Sequence, residues 1–370
     1  MAGLDPVQRN GSEVLTANDA VAFSVSLEKQ LTLELGTPCD TWDRDEISAW
    51  LLRRLSMQWP DEEFCLGEIL KAMESAASKA PPPTQVSEFS GLSDFHLEFI
   101  AEVCEQHQSV NPYYYDIETS KVAERFPGMP IPQGPPGPHL VEVPPFLITR
   151  PWRLVDAQDL DSRTVVVKAP GCSYQIPFFQ ALFPSAEVRV LHLTRAPGPS
   201  INGLLSAWHH RGFFSRRVTV ELDIPGYSDV YPEWGTSWWN FDCPPGWTDL
   251  VKEPLAAVCA AQWHSAHRAV LEEIDAGGHD VLRLRHEDFI GTSNQRRAAT
   301  ETLGEWLDLP GSAIDALSRT TIGPVSAVAT PDESRWLSKR DIIAPQLATT
   351  EVREVSAALG YDRTALTSIA

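Results

Sequence analysis

An α/β fold with a parallel β-sheet is predicted by three strand-like runs, two of which end in a basic residue. Val165-Val166-Val167 leads into Lys168, and a Pro/Gly turn then opens a helical pattern that closes at Phe183-Pro184. A second strand, Val188 to Leu193, runs into Thr194-Arg195, with a Pro-Gly-Pro turn and a new helix behind it. A third, Asp280 to Leu284, returns after a long helical pattern from Pro254 to Ile274. Strand–helix–strand–helix order builds parallel sheets, and open α/β sheets bind ligands at the carboxyl ends of their strands. Lys168 and Arg195, 27 positions apart, would both sit there beside helix N-termini, a combination that favours phosphate or sulfate.

Residues 1–79 read as a small separate helical region. Asp43-x-x-Glu46 resembles a capping box opening a helix from Ile47 to Trp59, with Ile47, Trp50, Leu51 and Leu55 on its apolar face. Asp19 to Gly36 faintly resembles the middle helices of an acyl carrier domain, with Ala20 where the phosphopantetheine serine would stand. An ordinary helical extension is the alternative. Ala80-Pro81-Pro82-Pro83 marks a linker. Beyond it come a short strand, the loop Ser90-Gly91-Leu92-Ser93 and a helix capped by Ser93. Residues 117–150 form a Pro- and Gly-rich excursion, and 351–370 a C-terminal tail. Residues 223–247 carry seven aromatics, which either wall a pocket or form a satellite core.

With 370 residues, 43% of them hydrophobic, the chain suits one large α/β domain plus a smaller element. A formal charge of −20 argues against nucleic acid as a partner. The first residues lack the apolar core of a signal peptide, and no run approaches a membrane span. Six cysteines without metal-ligand spacing fit reduced thiols in a cytoplasmic protein. No metal site is expected.

The runs VVVKAP, Phe183-Pro184-Ser185-Ala186 and Arg195-Ala196-Pro197 resemble signatures of the sulfotransferases that use 3′-phosphoadenosine 5′-phosphosulfate. The resemblance covers about residues 80–350. It implies a parallel sheet sandwiched by helices, the P-loop-like sulfotransferase fold. It also implies sulfuryl transfer to a hydroxyl of a small, partly apolar acceptor, natural-product-like or carrier-bound, with an acyl carrier protein as candidate partner. By the resemblance Lys168 contacts the transferring sulfuryl group and the bridging oxygen, and Arg195 binds the 3′-phosphate. Ser90, Gly91 and Ser93 match the 5′-phosphosulfate loop, in which Phe89 replaces the family's basic residue. A plain helix cap is the competing reading of that loop. The family serine eight positions beyond the Arg falls on Gly203, leaving Ser200 or Asn202 as substitutes. Arg285 to Phe289 resembles the family's Tyr-Glu-Asp-Leu turn, usually structural. Ser334 to Arg340 resembles the late basic segment that folds over the 3′-phosphate, with Arg340 as its ligand.

Trp238 and Trp239 are the residues expected to line the acceptor site. Cys172, His209 and His210 are weighed as general bases and none is assigned; His264 and His267 are expected to pack or bond inside the helical layer. The same fold with different chemistry, or a non-catalytic domain binding an acyl chain or a carrier protein, are the rival readings.

Overall fold

Asp43 opens the first helix as the spacing predicts, its carboxylate accepting from the Glu46 N–H at 2.9 Å. The computed structural model describes residues 36–38, 43–59, 61–82, 92–114, 117–131, 152–154, 158, 164, 166–167, 170–184, 186–209, 215–278, 280–319 and 334–361. Strand β1 (Gly36–Pro38) precedes helices α1 (Arg44–Gln58), α2 (Leu66–Lys79), α3 (Leu92–Gln106) and α4 (Thr119–Arg125). Strand β2 (Trp152–Leu154) pairs antiparallel with β1 and packs on α1.

These helices share one core built from Ile47, Leu51, Leu55, Ile69, Met73, Phe95, Phe99 and Val122. Lys79 on α2 meets Glu98 and Glu102 on α3, and Arg125 on α4 meets Glu98. The expected boundary at residue 79/80 is therefore corrected. Helices on both sides of it bury their apolar stripes against each other, and α3 belongs to the helical unit.

The second unit starts with a 3₁₀ turn at Pro170–Tyr174 and α5 (Ile176–Leu182). Strand β3 (Arg189–Thr194) leads into α6 (Pro197–Trp208); β4 (Ser215–Arg217) and β5 (Trp238–Asn240) form an antiparallel pair. Helix α7 (Leu255–Ala276) returns to β6 (Asp280–Arg285), which pairs in parallel with β3, Arg189 opposite Asp280 through Thr194 opposite Arg285. Helices α8 (His286–Ile290), α9 (Ser293–Trp306), α10 (Gly311–Arg319), α11 (Arg340–Leu347) and α12 (Thr350–Ala358) follow. The chain is thus α/β, and its described residues contain one two-stranded parallel sheet.

Two expectations fail here. Thr164, Val166 and Val167 are not in a strand, and Val166 is 81% exposed. β-Branched residues favour strands where a neighbouring edge and a buried face receive them, and the exposed Val166 has no buried face. The C-terminal "tail" is structural through residue 361: Val352, Val355, Leu359 and Tyr361 are all buried in the main core.

The aromatic segment is core as well. Tyr227, Trp234, Trp238, Trp239, Phe241 and Trp247 lie in the same buried cluster as Ile201, Trp208 and Trp263. Trp239 has no exposed surface, stands edge-on to Trp208 and Trp247, and donates its indole N–H to the Asp242 carbonyl at 2.9 Å. The acceptor-wall assignment of Trp238 and Trp239 is corrected accordingly, because interior packing leaves their rings no surface to offer. Replacing Trp239 by Ala should lower unfolding stability by about 3–5 kcal/mol, the range for large-to-small core changes. Urea denaturation measures it, and a loss below about 1 kcal/mol would exclude a core role.

Candidate anion-binding site

Arg195 follows the last residue of β3, and its carbonyl accepts from the indole N–H of Trp263 at 3.2 Å. Trp263 lies on α7, and the Pro170–Tyr174 turn packs on the same helix. That turn is fixed further by the Tyr174 hydroxyl, which donates to buried Asp242 at 2.9 Å. Burial raises the pKa of both partners, so the proton stays between them. One helix therefore carries both the turn that follows Lys168 in sequence and the backbone of Arg195. Lys168, Ser90 and Gly91 lie outside the described residues, as does Ala20. Ser93 lies inside α3, one residue past its start at Leu92. That helix packs against α2.

The residue after Arg195 begins a network at the sheet edge. The Ala196 N–H donates to Glu287 Oε1 at 2.7 Å, and the Tyr361 hydroxyl donates to Glu287 Oε2 at 3.0 Å. Thr194 Oγ1 stands 3.1 Å from the same hydroxyl. Glu287 has the structural role expected of its turn. Its presence revises the picture of an anion held by free helix N–H groups. Pro197 and Pro199 have no N–H, Ala196 gives its own to Glu287, and Ser200 gives its own to the Ala196 carbonyl. An anion here must be held by side chains.

Trp336 covers Gly198, and a Cβ on that glycine would meet the indole at 3.0 Å. The stretch Arg335–Lys339 thus lies on the first turn of α6. The inward cation is Lys339, missed by sequence reasoning, rather than Arg340, which is exposed. Lys339 Nζ donates to Ser206 Oγ at 3.2 Å, and burial, then Arg335, lowers its pKa. Ser200 Oγ reaches back to the Arg195 carbonyl at 3.5 Å, and Asn202 is buried on the core face of α6. Gly203 is exposed, with open space where a Cβ would point.

Arg195 Nε and His286 Nδ1 are buried without a hydrogen-bond partner. His286 begins α8, immediately after β6; burial, then the charge of Arg195, lowers its pKa. Neither composition nor motif singled out His286; its placement depends on the β3–β6 register. His209, at the end of α6, is exposed and its ring faces Tyr231, whereas His210 lies outside the described residues. Cys172 is half-buried, and Cys65, Cys104, Cys172, Cys243 and Cys259 form no disulfide. Among the described residues no helix is long and apolar enough to cross a membrane, and no three His, Cys, Asp or Glu side chains group as metal ligands.

His192 on β3 and His267 on α7 share a ring hydrogen bond of 2.9 Å inside the helical layer. Comparison of the chain with family models, curated proteins and solved structures finds no match.

Burial holds the pKa of both His192 and His267 below the ordinary histidine value. The unfolded chain then takes up protons first as pH falls. This contribution to stability is complete above about pH 6.5 and is lost below it, by at most about 1.4 kcal/mol per pH unit for each ring. His267→Gln should flatten the acid limb in urea midpoints measured from pH 7 to 5. An unchanged slope would show that the pair does not control acid stability.

Proposed function

We propose that the chain is a cytoplasmic sulfotransferase, with a helix-sandwiched parallel sheet, that uses 3′-phosphoadenosine 5′-phosphosulfate as donor. The observation that carries this reading is Arg195 at the carboxyl end of a parallel strand, with a buried unpartnered Nε and the Trp336 segment laid across the following helix start. The motif resemblance supplies the donor's identity. In the reaction the bond from sulfur to the bridging oxygen breaks as a bond from sulfur to the acceptor oxygen forms. The acceptor proton leaves to a base that no described residue supplies by geometry, and charge moves onto the departing 3′,5′-diphosphate. Lys168, which stands two residues before the Pro170–Tyr174 turn, is the cation proposed for that charge. Asn202 on α6 and Arg340 remain proposed cofactor contacts, with Ser90, Gly91 and Ser93 at the 5′ end.

A second reading, the same fold with different chemistry, draws on the helix start itself. Two prolines and Glu287 remove most of the N–H donors that a phosphate would use there.

Adding 3′-phosphoadenosine 5′-phosphate should raise Tm, since a ligand of the folded state stabilises by RT ln(1 + [L]/Kd). Arg195→Ala should remove most of that shift by deleting a charge-assisted contact. An unchanged shift in the variant would displace the 3′-phosphate from Arg195, and no shift in the parent would favour the second reading.

Lys168→Ala should lower kcat by two orders of magnitude or more, roughly the effect of losing one transition-state donor, with donor Kd changed less than tenfold. Full activity in the variant would remove Lys168 from the chemistry.

A further inference from the structure

The β3–β6 register sets Thr194 opposite Arg285, so Arg195 and His286 are the next residues out on adjacent parallel strands. Each has one side-chain nitrogen buried without a partner, Nε of Arg195 and Nδ1 of His286. Buried polar atoms nearly always find partners, and two orphans at neighbouring strand ends point to a ligand they share. Arg195 Nε can only donate. A neutral imidazole has one donor and one acceptor, whereas the protonated ring donates from both nitrogens.

We propose that Arg195 and His286 together hold one tetrahedral oxyanion, a sulfate or phosphate group, and that its binding is coupled to protonation of His286. The inference rests on reading Arg195 as an oxyanion ligand. Without an anion, burial and then the guanidinium of Arg195 hold the ring's pKa below the ordinary histidine value, which favours the neutral ring. A dianion between them reverses the balance, because imidazolium and guanidinium then both face negative charge. The ring takes up a proton from solvent as the anion enters, and returns it when the anion leaves.

Several charged groups on the elements around His286 have partners of their own. Glu287 is bound by the Ala196 N–H and the Tyr361 hydroxyl. Arg285 donates to the Gly360 carbonyl at 2.8 Å and lies over the Tyr361 ring. On α9, which packs against α8, Arg297 pairs with Glu301 and Arg296 has a buried Nε without a partner, while Asp288 lies on α8 itself. None of these changes protonation between pH 6 and 8 by its ordinary chemistry, so the linkage in that window belongs to His286.

Inorganic sulfate is the probe, since it does not itself titrate in this range. Its affinity for the full chain is measured by thermal shift and by NMR titration of the His286 ring from pH 8 to 6, at constant ionic strength. Affinity should rise as pH falls, by up to tenfold per pH unit, the limit for one coupled proton. His286→Gln should remove the slope while keeping part of the affinity, and Arg195→Ala should abolish binding at every pH. Should His286→Gln not fold, the ring's own titration in the parent decides: sulfate must raise its pKa. A pH-independent affinity, the same slope in His286→Gln, or no sulfate binding at all overturns the proposal.

A parallel titration with 3′-phosphoadenosine 5′-phosphate at pH 8 separates the two readings. Nucleotide binding with pH-independent sulfate binding defeats the proton coupling and leaves the sulfotransferase reading standing. pH-linked sulfate binding without nucleotide binding does the reverse.

Discussion

The hydrogen bond from the Ala196 N–H to Glu287 is the constraint on which the functional edge depends. It fixes the residue after Arg195 to the residue after His286, and so ties the exit of one parallel strand to the exit of its neighbour. Tyr361 extends the tie to the C-terminal helix through Glu287 and Thr194. Three chain segments, distant in sequence, meet in a mostly buried polar cluster. Such a cluster stabilises only when every member is satisfied, and losing one leaves the others buried and unpaired. A tyrosine near the end of the chain thereby bonds the strand residue just before Arg195, 167 positions earlier.

The core behind these strands is rich in aromatics. Two paired strands cover little area, so the remaining apolar faces of α6 and α7 need other partners. The segment from Leu222 to Trp247 provides them, its rings meeting edge-on at centroid separations of 4.7 to 5.6 Å. Several polar groups in this layer are paired internally, although the Trp247 indole N–H is buried without a partner. Trp208 donates to Gln262, and Gln262 donates to the carbonyls of Asn240 and Asp242. The tryptophans looked available for a ligand in the sequence because seven aromatics between turn residues resemble a sticky loop. Their partners, Ile201 and Trp208 before them and Trp263 after, lie on helices that periodicity alone does not bring together.

Local signals in the chain were readable wherever the physics is local. Asp43 capping, the Pro-Gly-Pro start of α6, the 22-residue helix and the strands at Arg189 and Asp280 all follow from caps, breakers and apolar period. Long-range pairing was not readable. Val165 to Val167 has strand composition, yet strand formation depends on a partner edge and a buried face, and Val166 is exposed. The Ala80-Pro83 stretch has linker composition, yet Phe95 and Phe99 complete the apolar stripe of Ile69 and Met73 across it. His286 became a site residue through register, a property of two strands together.

In a chain of net charge −20, cations near one edge are informative by what they already hold. Arg283 is bound to the Ala358 carbonyl, Arg285 to Gly360, and Lys339 to Ser206. These three anchor the C-terminal helix and the Trp336 segment, and a ligand recruiting them would have to release those anchors. Arg195 differs: its carbonyl is held by Trp263, so its backbone is fixed, while its Nε has no partner. A fixed backbone bearing an unsatisfied donor is preorganised for an anion, since little reorganisation accompanies binding. The neighbouring cations thus act as a scaffold, holding in position the strand ends at which Arg195 and His286 face one another.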